Sequence, residues 1–164
     1  MNKLAIIILN WNGWKDTIEC LESLLNSSLD EFIIILIDNG STDGSVKNII
    51  NWLSIYPHDL NSIHEIEVDN NYNDVKSIIL NDIKTIKRDL LFLKIRNNLG
   101  YAIGNNIGIH LAIKYLCNYV LLLNNDTIVG EESIQKLTNH LNKDSKYSIL
   151  SPVICYYDKP NLIW

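Results

Sequence analysis

The sequence is poor in arginine. Only Arg88 and Arg96 supply guanidinium groups, the net charge is −5 and no basic run occurs, so the electrostatic grip on a phosphate backbone that nucleic acid requires is missing. Cysteine is scarce too. Cys20, Cys117 and Cys155 lie far apart and form no CxxC pair, which excludes the usual thiolate metal spacings and leaves small free hydrophobes suited to a reducing cytoplasm. No apolar stretch reaches the roughly 20 residues that cross a bilayer. The run Leu4 to Leu9 follows Met1, Asn2 and Lys3 but is broken by Asn10, Trp11, Asn12 and Gly13, without a small-residue cleavage site; it reads as a buried strand, not a signal sequence. Neither GxxxxGK[ST] nor GxGxxG is present, so the P-loop and the dinucleotide turn are both excluded. His58, His64, His110 and His140 show no metal-ligand spacing.

What is there is apolar and patterned. The chain has 164 residues, 47% apolar and 20% charged, the composition of one soluble domain able to bury about 70% of its unfolded surface. Leu4 to Leu9, Phe32 to Ile37, Leu90 to Ile95 and Tyr119 to Leu123 are short apolar runs that end in polar clusters, the pattern of parallel strands covered on both faces. Between them, Ile18, Leu21, Leu24 and Leu25, then Val46, Ile49, Ile50 and Leu53, then Ile107, Leu111, Ala112, Tyr115 and Leu116 recur at helical spacing. Strand-helix alternation predicts an α/β open, mostly parallel sheet with helices on both faces. The polar, acidic segment 54–74 reads as a surface excursion, and Val75 to Lys87 as an amphipathic helix leading back to the Leu90 strand. Glu131 to Leu141 reads as a last helix whose acidic start suits the positive end of the helix dipole. Pro152 makes the strand candidate Ile149 to Tyr157 begin late or lie at an edge. No Gly/Ser linker or internal repeat divides the chain, so 1–164 is expected to be a single domain.

Open α/β sheets bind ligands outside the carboxyl ends of their strands. Those ends read Asn10-Trp11-Asn12-Gly13, Asp38-Asn39-Gly40-Ser41-Thr42-Asp43-Gly44, Arg96-Asn97-Asn98-Leu99-Gly100 and Asn124-Asn125-Asp126. Taken with the flanking Leu9, Ile37, Ser45 and Leu123, and with Tyr101-Ala102-Ile103-Gly104-Asn105-Asn106-Ile107-Gly108, the sequence resembles a family 2 inverting glycosyltransferase of the GT-A (Rossmann-like) fold. By pattern it is similar to the bacterial rhamnosyltransferase-like members that build surface polysaccharides. The resemblance covers nearly the whole chain. It implies metal-dependent transfer of a sugar from a nucleoside diphosphate sugar, UDP- or dTDP-linked, to a hydroxyl of a glycan acceptor. It also implies a cytoplasmic protein, with the inner face of the membrane as a place for peripheral association of the full-length enzyme.

Carried onto this sequence, the resemblance assigns Asn10, Asn12, Asp38, Gly100, Gly104, Asn105 and Asn124 to nucleotide or donor binding. Asp38 would accept the imide N–H of uracil or thymine; as a residue in an Asp-Asn-Gly-Ser turn it is equally suited to capping that turn. Asn124-Asn125-Asp126 takes the place of the family's DxD motif, with Asp126 as ligand of Mn²⁺ or Mg²⁺ or, on the plainer reading, as the cap of a following turn. Asn124 adds no charge and would bond the ribose or a metal-bound water. Gly100 and Gly104 would let backbone approach the ligand, Asn105 and Asn106 would offer amides at a helix N-terminus, and Gly108 would serve helix packing. Trp11 and Trp14 suit stacking on base or sugar, or core packing.

Members of the family continue into an acceptor-binding half that supplies the general base. Ser151-Pro152-Val153 and Asn161-Leu162-Ile163-Trp164 resemble the entry to it, so the chain is expected to be a nucleotide-sugar-binding domain truncated at its C-terminal end, with no base to be named. Asp158 is the serious acidic candidate after Asp126, yet Tyr157-Asp158-Lys159-Pro160 reads as a hairpin turn. The competing readings are a nucleotidyltransferase or other nucleotide-binding module and a catalytically inactive donor-binding fragment.

Overall fold

The structure, a computed structural model, describes residues 3–68, 88–143 and 148–164. Along the chain run β1 (Leu4–Asn10), α1 (Trp14–Leu25), β2 (Phe32–Asn39), α2 (Ser45–Ile55), β3 (Ser62–Val68), β4 (Asp89–Ile95), α3 (Tyr101–Lys114), β5 (Tyr119–Asn124), α4 (Ser133–Lys143), β6 (Cys155–Tyr156) and β7 (Lys159–Ile163). The first five strands form one sheet in the order β3-β4-β2-β1-β5, and every pairing in it is parallel.

Alternate residues of each central strand feed two cores. Ile6, Ile8, Ile34, Leu36 and Phe92 meet Leu21 and Leu24 of α1, Ile49 and Leu53 of α2 and Ile134 of α4. Ile7, Ile33, Ile35, Leu91 and Leu93 meet Ile107, Leu111 and Ala112 of α3 on the opposite face. Helices therefore cover both faces, as the apolar runs predict. Every residue of β2 is buried; each such Ile or Leu removed from water contributes about 1.5–3 kcal/mol before entropy is counted.

The edges depart from expectation. Residues 62–68, inside the segment read as a surface excursion, pair with β4 over their whole length. The signal is hidden because Ile63, Ile66 and Val68 are the only apolar residues of the strand, too few to make an apolar run, and Glu65 and Glu67 are exposed, as suits an edge strand half in water. β5 was expected to be covered on both faces, but it is the other edge, with Val120 40% and Leu122 46% exposed. Lys94 bonds Glu65 and Glu67 of β3, each at 3.2 Å. The helix expected over Val75 to Lys87 and the polar run 69–74 lie outside the described residues, as does Asp144.

Toward the end of the chain, α4 begins at Ser133, after Glu131 and Glu132 rather than at them. The backbone of Lys136 then bonds the Glu132 carbonyl at 2.9 Å. The late strand is the two-residue β6, which pairs with β7 across the turn at Tyr157 and Asp158. The Tyr157 hydroxyl donates to Glu19 of α1 at 2.6 Å, and this bond pushes the phenol pKa upward.

β1 has β2 on one side and β5 on the other. The chain leaves β1 toward β2 and returns to its far side for β5, so the strand order reverses beside β1. The crevice at the carboxyl ends of β1 and β5 is where such a sheet places a ligand.

Candidate functional site

Asn10 and Asp38 are adjacent partners at the ends of β1 and β2, and both are buried. The Asn10 amide donates to Asp38 Oδ1 at 2.6 Å and to Ser41 Oγ at 3.1 Å. Asp38 Oδ2 accepts from the Ser41 backbone N–H at 3.0 Å, and Thr17 Oγ1 donates to Asn10 Oδ1 at 2.8 Å. The loop after β2 is tied to the loop after β1 a second time. Asn12, at φ 54, accepts the Thr42 N–H at 2.8 Å and the Asp43 N–H at 3.3 Å through its side-chain oxygen. Its own N–H donates to Ser41 Oγ at 2.9 Å.

Both Asp38 oxygens are thus engaged in holding protein, as a turn cap's would be. Gly40 completes this rim: at φ +76, a Cβ there would stand 2.5 Å from the backbone of Asn97 and Asn98. Asn39 joins it to the loop before α3, accepting the Leu99 N–H at 3.0 Å and donating to Asn98 Oδ1 at 3.0 Å.

Across the crevice the groups are open. A cleft of about 450 Å³ is lined by Trp11, Asn39, Asn98, Gly100, Tyr101, Asn105, Asn124, Asn125 and Asp126 over an apolar floor of Leu9 and Leu123. Asp126 is exposed, and its carboxylate accepts no hydrogen bond among the described residues, so the turn-cap reading gains no support. Asn125 is anchored through its nitrogen to Thr17 Oγ1 at 3.1 Å and Gly13 O at 3.3 Å. Asn124 accepts from the Tyr101 hydroxyl at 3.2 Å. Trp11 is 57% exposed at the cleft, whereas Trp14 packs against the core. A larger groove of about 560 Å³ beside β5 is lined chiefly by apolar residues such as Val120, Leu122, Ile134 and Ile149. It lacks the convergent polar groups of a small-molecule site.

Two residues of the expected donor site do other work. A Cβ on Gly104 would come within 2.5 Å of Leu9, and one on Gly108 within 2.6 Å of Ile7, so both glycines let α3 lie against β1. The Asn105 nitrogen donates to the Tyr101 carbonyl of its own helix at 3.0 Å, which leaves its oxygen and one N–H without a partner among the described residues. Gly100 stands in open space: its φ is +82 and nothing lies within 4 Å of where a Cβ would stand. Tyr101 was passed over in the sequence, although it follows Gly100 directly; a hydroxyl-bearing ring in the first turn of a helix was the available signal.

None of the cleft's lining residues is Lys or Arg, and among the described residues no cluster of three His, Cys, Asp or Glu could hold a metal. A free Asp126 carboxylate with the unpartnered Asn125 oxygen beside it fits an oxygen-seeking divalent ion that arrives with other ligands. It does not fit an ion held by protein alone. Behind the cleft, the Cys20 thiol donates to the Asn124 carbonyl at 3.7 Å. Burial, and secondarily the Asp126 charge, push the pKa of that thiol up to about 12.

The chain is similar to known proteins over part of their length. It is 40% identical over 57 residues to the uncharacterized glycosyltransferase YibD of Escherichia coli K12, which covers 35% of this chain and 17% of that protein. It is 28% identical over 85 residues to the teichoic acid poly(glycerol phosphate) polymerase of Staphylococcus epidermidis, covering 52% of this chain and 12% of the relative. The chain thus spans under a fifth of the length of these curated relatives. Among solved structures, S. aureus TarS 1-349 in complex with UDP-GlcNAc superposes with a TM-score of 0.58 at 14% identity, over 96% of this chain and 41% of that one. The sheet and its helices therefore have the GT-A-like α/β fold found in TarS. Residues 5–72, which carry β1 to β3 and the rim built on Asn10 and Asp38, match the family model described as Glycosyl transferase family 2.

Proposed function

We propose that this chain is the donor-binding part of an inverting glycosyltransferase of the rhamnosyltransferase-like kind, moving a sugar from a UDP- or dTDP-linked donor to a glycan hydroxyl in surface polysaccharide synthesis. The observation that carries the proposal is the cleft at the strand-order reversal, where the one free carboxylate among its lining residues, Asp126, stands beside the start of α3 and an exposed Trp11. The similarity to glycosyltransferases and the TarS fold with its UDP-GlcNAc complex support the same reading.

In this assignment the diphosphate lies between Asn124, Asp126 and the first turn of α3, where unsatisfied N–H groups favour an anion. Trp11 offers a ring face to the base or sugar. Asp38 serves the site through the two loops it ties together. A divalent ion, Mn²⁺ or Mg²⁺, held by Asp126 and the diphosphate oxygens, would supply charge to the departing diphosphate. The acceptor hydroxyl needs a base within hydrogen-bond reach on the far side of the sugar, and Asp126 is the one carboxylate among the cleft's lining residues, none of which is a histidine. The work is assigned to the cytoplasmic side, at the inner face of the membrane; no helix among the described residues is long and apolar enough to cross one.

Calorimetry with UDP and dTDP, with and without Mn²⁺, tests this. Binding that Mn²⁺ strengthens, and that Asp126→Asn renders indifferent to Mn²⁺ while the protein stays folded, is the expected outcome. Purified chain given sugar nucleotide, Mn²⁺ and a glycan acceptor should form no glycoside above background. A folded protein that binds no pyrimidine diphosphate would overturn the assignment.

A further inference from the structure

The cleft must hold a diphosphate without a single lysine or arginine among its lining residues, so the direction in which each amide points decides what it offers. Asn39 is used up on both ends by Leu99, Asn98 and Gly100. Asn125 spends both amide hydrogens on protein and keeps its oxygen, which repels an anion, and Asn105 spends one on its own helix and is buried. Asn98 and Asn124 are the reverse case: the oxygen of Asn98 is held by Asn39 and the Gly100 N–H, that of Asn124 by the Tyr101 hydroxyl at 3.2 Å, and neither nitrogen has a partner among the described residues. A side-chain amide has one accepting and one donating end, so fixing the first aims the second.

We infer that Tyr101 is a positioning residue for the donor: by holding the oxygen of Asn124, it keeps the amide N–H turned toward the diphosphate, where a carboxylate at the same position would turn only acceptors. The inference rests on the cleft being the donor site. The consequence is a division of labour along one strand end. Asn124 meets the anion directly and Asp126 meets it through an ion, so part of the diphosphate affinity survives without metal. Tyr101 is well placed for this because it sits in the first turn of α3, 62% exposed, with its ring reaching across the cleft to the end of β5. Its hydroxyl contributes nothing to either core.

The test is UDP binding by calorimetry in metal-free buffer for the wild-type chain, Tyr101→Phe, Asn124→Ala, Asn124→Asp and the double variant Tyr101→Phe/Asn124→Ala, with uridine as the phosphate-free control and urea unfolding as the check on folding. Tyr101→Phe should weaken UDP roughly fivefold, less than the tenfold or more expected for losing a hydrogen bond to a charged oxygen outright. It should leave uridine binding and the unfolding midpoint unchanged. The double variant should bind no worse than Asn124→Ala, since a residue acting through another adds nothing once that other is gone. Asn124→Asp should lose more metal-free affinity than Asn124→Ala and recover it with Mn²⁺.

Unchanged UDP affinity in Tyr101→Phe, additive losses in the double variant, or full metal-free affinity in Asn124→Asp would each overturn the positioning role while leaving the donor site standing. Failure of the folded wild-type chain to bind UDP in either buffer would overturn both.

Discussion

The two sides of the cleft are built from the same residue types and do opposite things with them. On the β1–β2 side, Asn10, Asn12, Asp38 and Ser41 hydrogen-bond one another. On the β5–α3 side, Asp126 and one end each of Asn105, Asn124 and Asn125 have no protein partner among the described residues. A buried carboxylate whose oxygens are both engaged leaves buried donors unpaired when it is removed; an exposed one without partners costs little to remove and is available for a ligand. The closed side is a frame and the open side is a working surface. Sequence position does not separate them, because both lie at strand ends and both are rich in Asn and Asp.

The largest effect should come from forcing the frame apart. Gly40→Ala places a methyl group 2.5 Å from the backbone of Asn97 and Asn98 at a φ of +76, and neither neighbour is a flexible side-chain end. We expect a loss of about 3 kcal/mol or more, seen as a collapse of the urea midpoint; a midpoint within experimental error of wild type would show that the two loops can part freely.

The sharper comparison makes one chemical change on each side. Asp38→Asn removes one acceptor from a buried network and should cost about 1–3 kcal/mol. Asp126→Asn should leave stability within about 0.5 kcal/mol of wild type. Equal costs at the two positions would erase the distinction between frame and surface. Trp11→Ala comes next, with stability nearly unchanged because the ring is exposed, but with a loss of the tryptophan fluorescence change on adding UDP.

The smallest effect concerns the thiols. At pH 8, iodoacetamide should modify exposed Cys155 quickly and buried Cys20 only after unfolding; mass spectrometry of the labelled peptides reads this directly. The Cys20 pKa is raised from 9.0 to about 12 in the folded protein. Its contribution to stability is therefore complete below pH 9 and declines as pH rises toward 12, because the unfolded chain releases the proton first. Denaturation at pH 8 and pH 10.5 should differ in that direction.

Much of the architecture could be read from the residues. The central strands announce themselves because a strand covered on both faces is apolar at every position, and Ile33 to Ile37 leave no other reading. β3 does not, because Glu65 and Glu67 point to solvent and Lys94 rather than to the core, and a mostly polar stretch with three scattered apolar residues resembles a loop. At the strand ends, the motifs read from the sequence come together in space, and Gly100, Asn124 and Asp126 line one cleft. What the letters could not carry was direction. Whether Asp38 faces a nucleobase or Asn10, and whether Gly104 faces a ligand or Leu9, depends on which way a strand end and a helix are turned, and that is set by the packing of α3 on β1.

β5 has a further consequence for handling the protein. Among the described residues it pairs with β1 alone, so the N–H and C=O groups of its outer side are unsatisfied by any strand, next to exposed Val120 and Leu122. Such an edge is a template for any extended chain that meets it. Protein concentration then becomes a variable in every experiment above: dilute, the chain is an individual molecule, and concentrated, it carries along one border the means to recruit another strand.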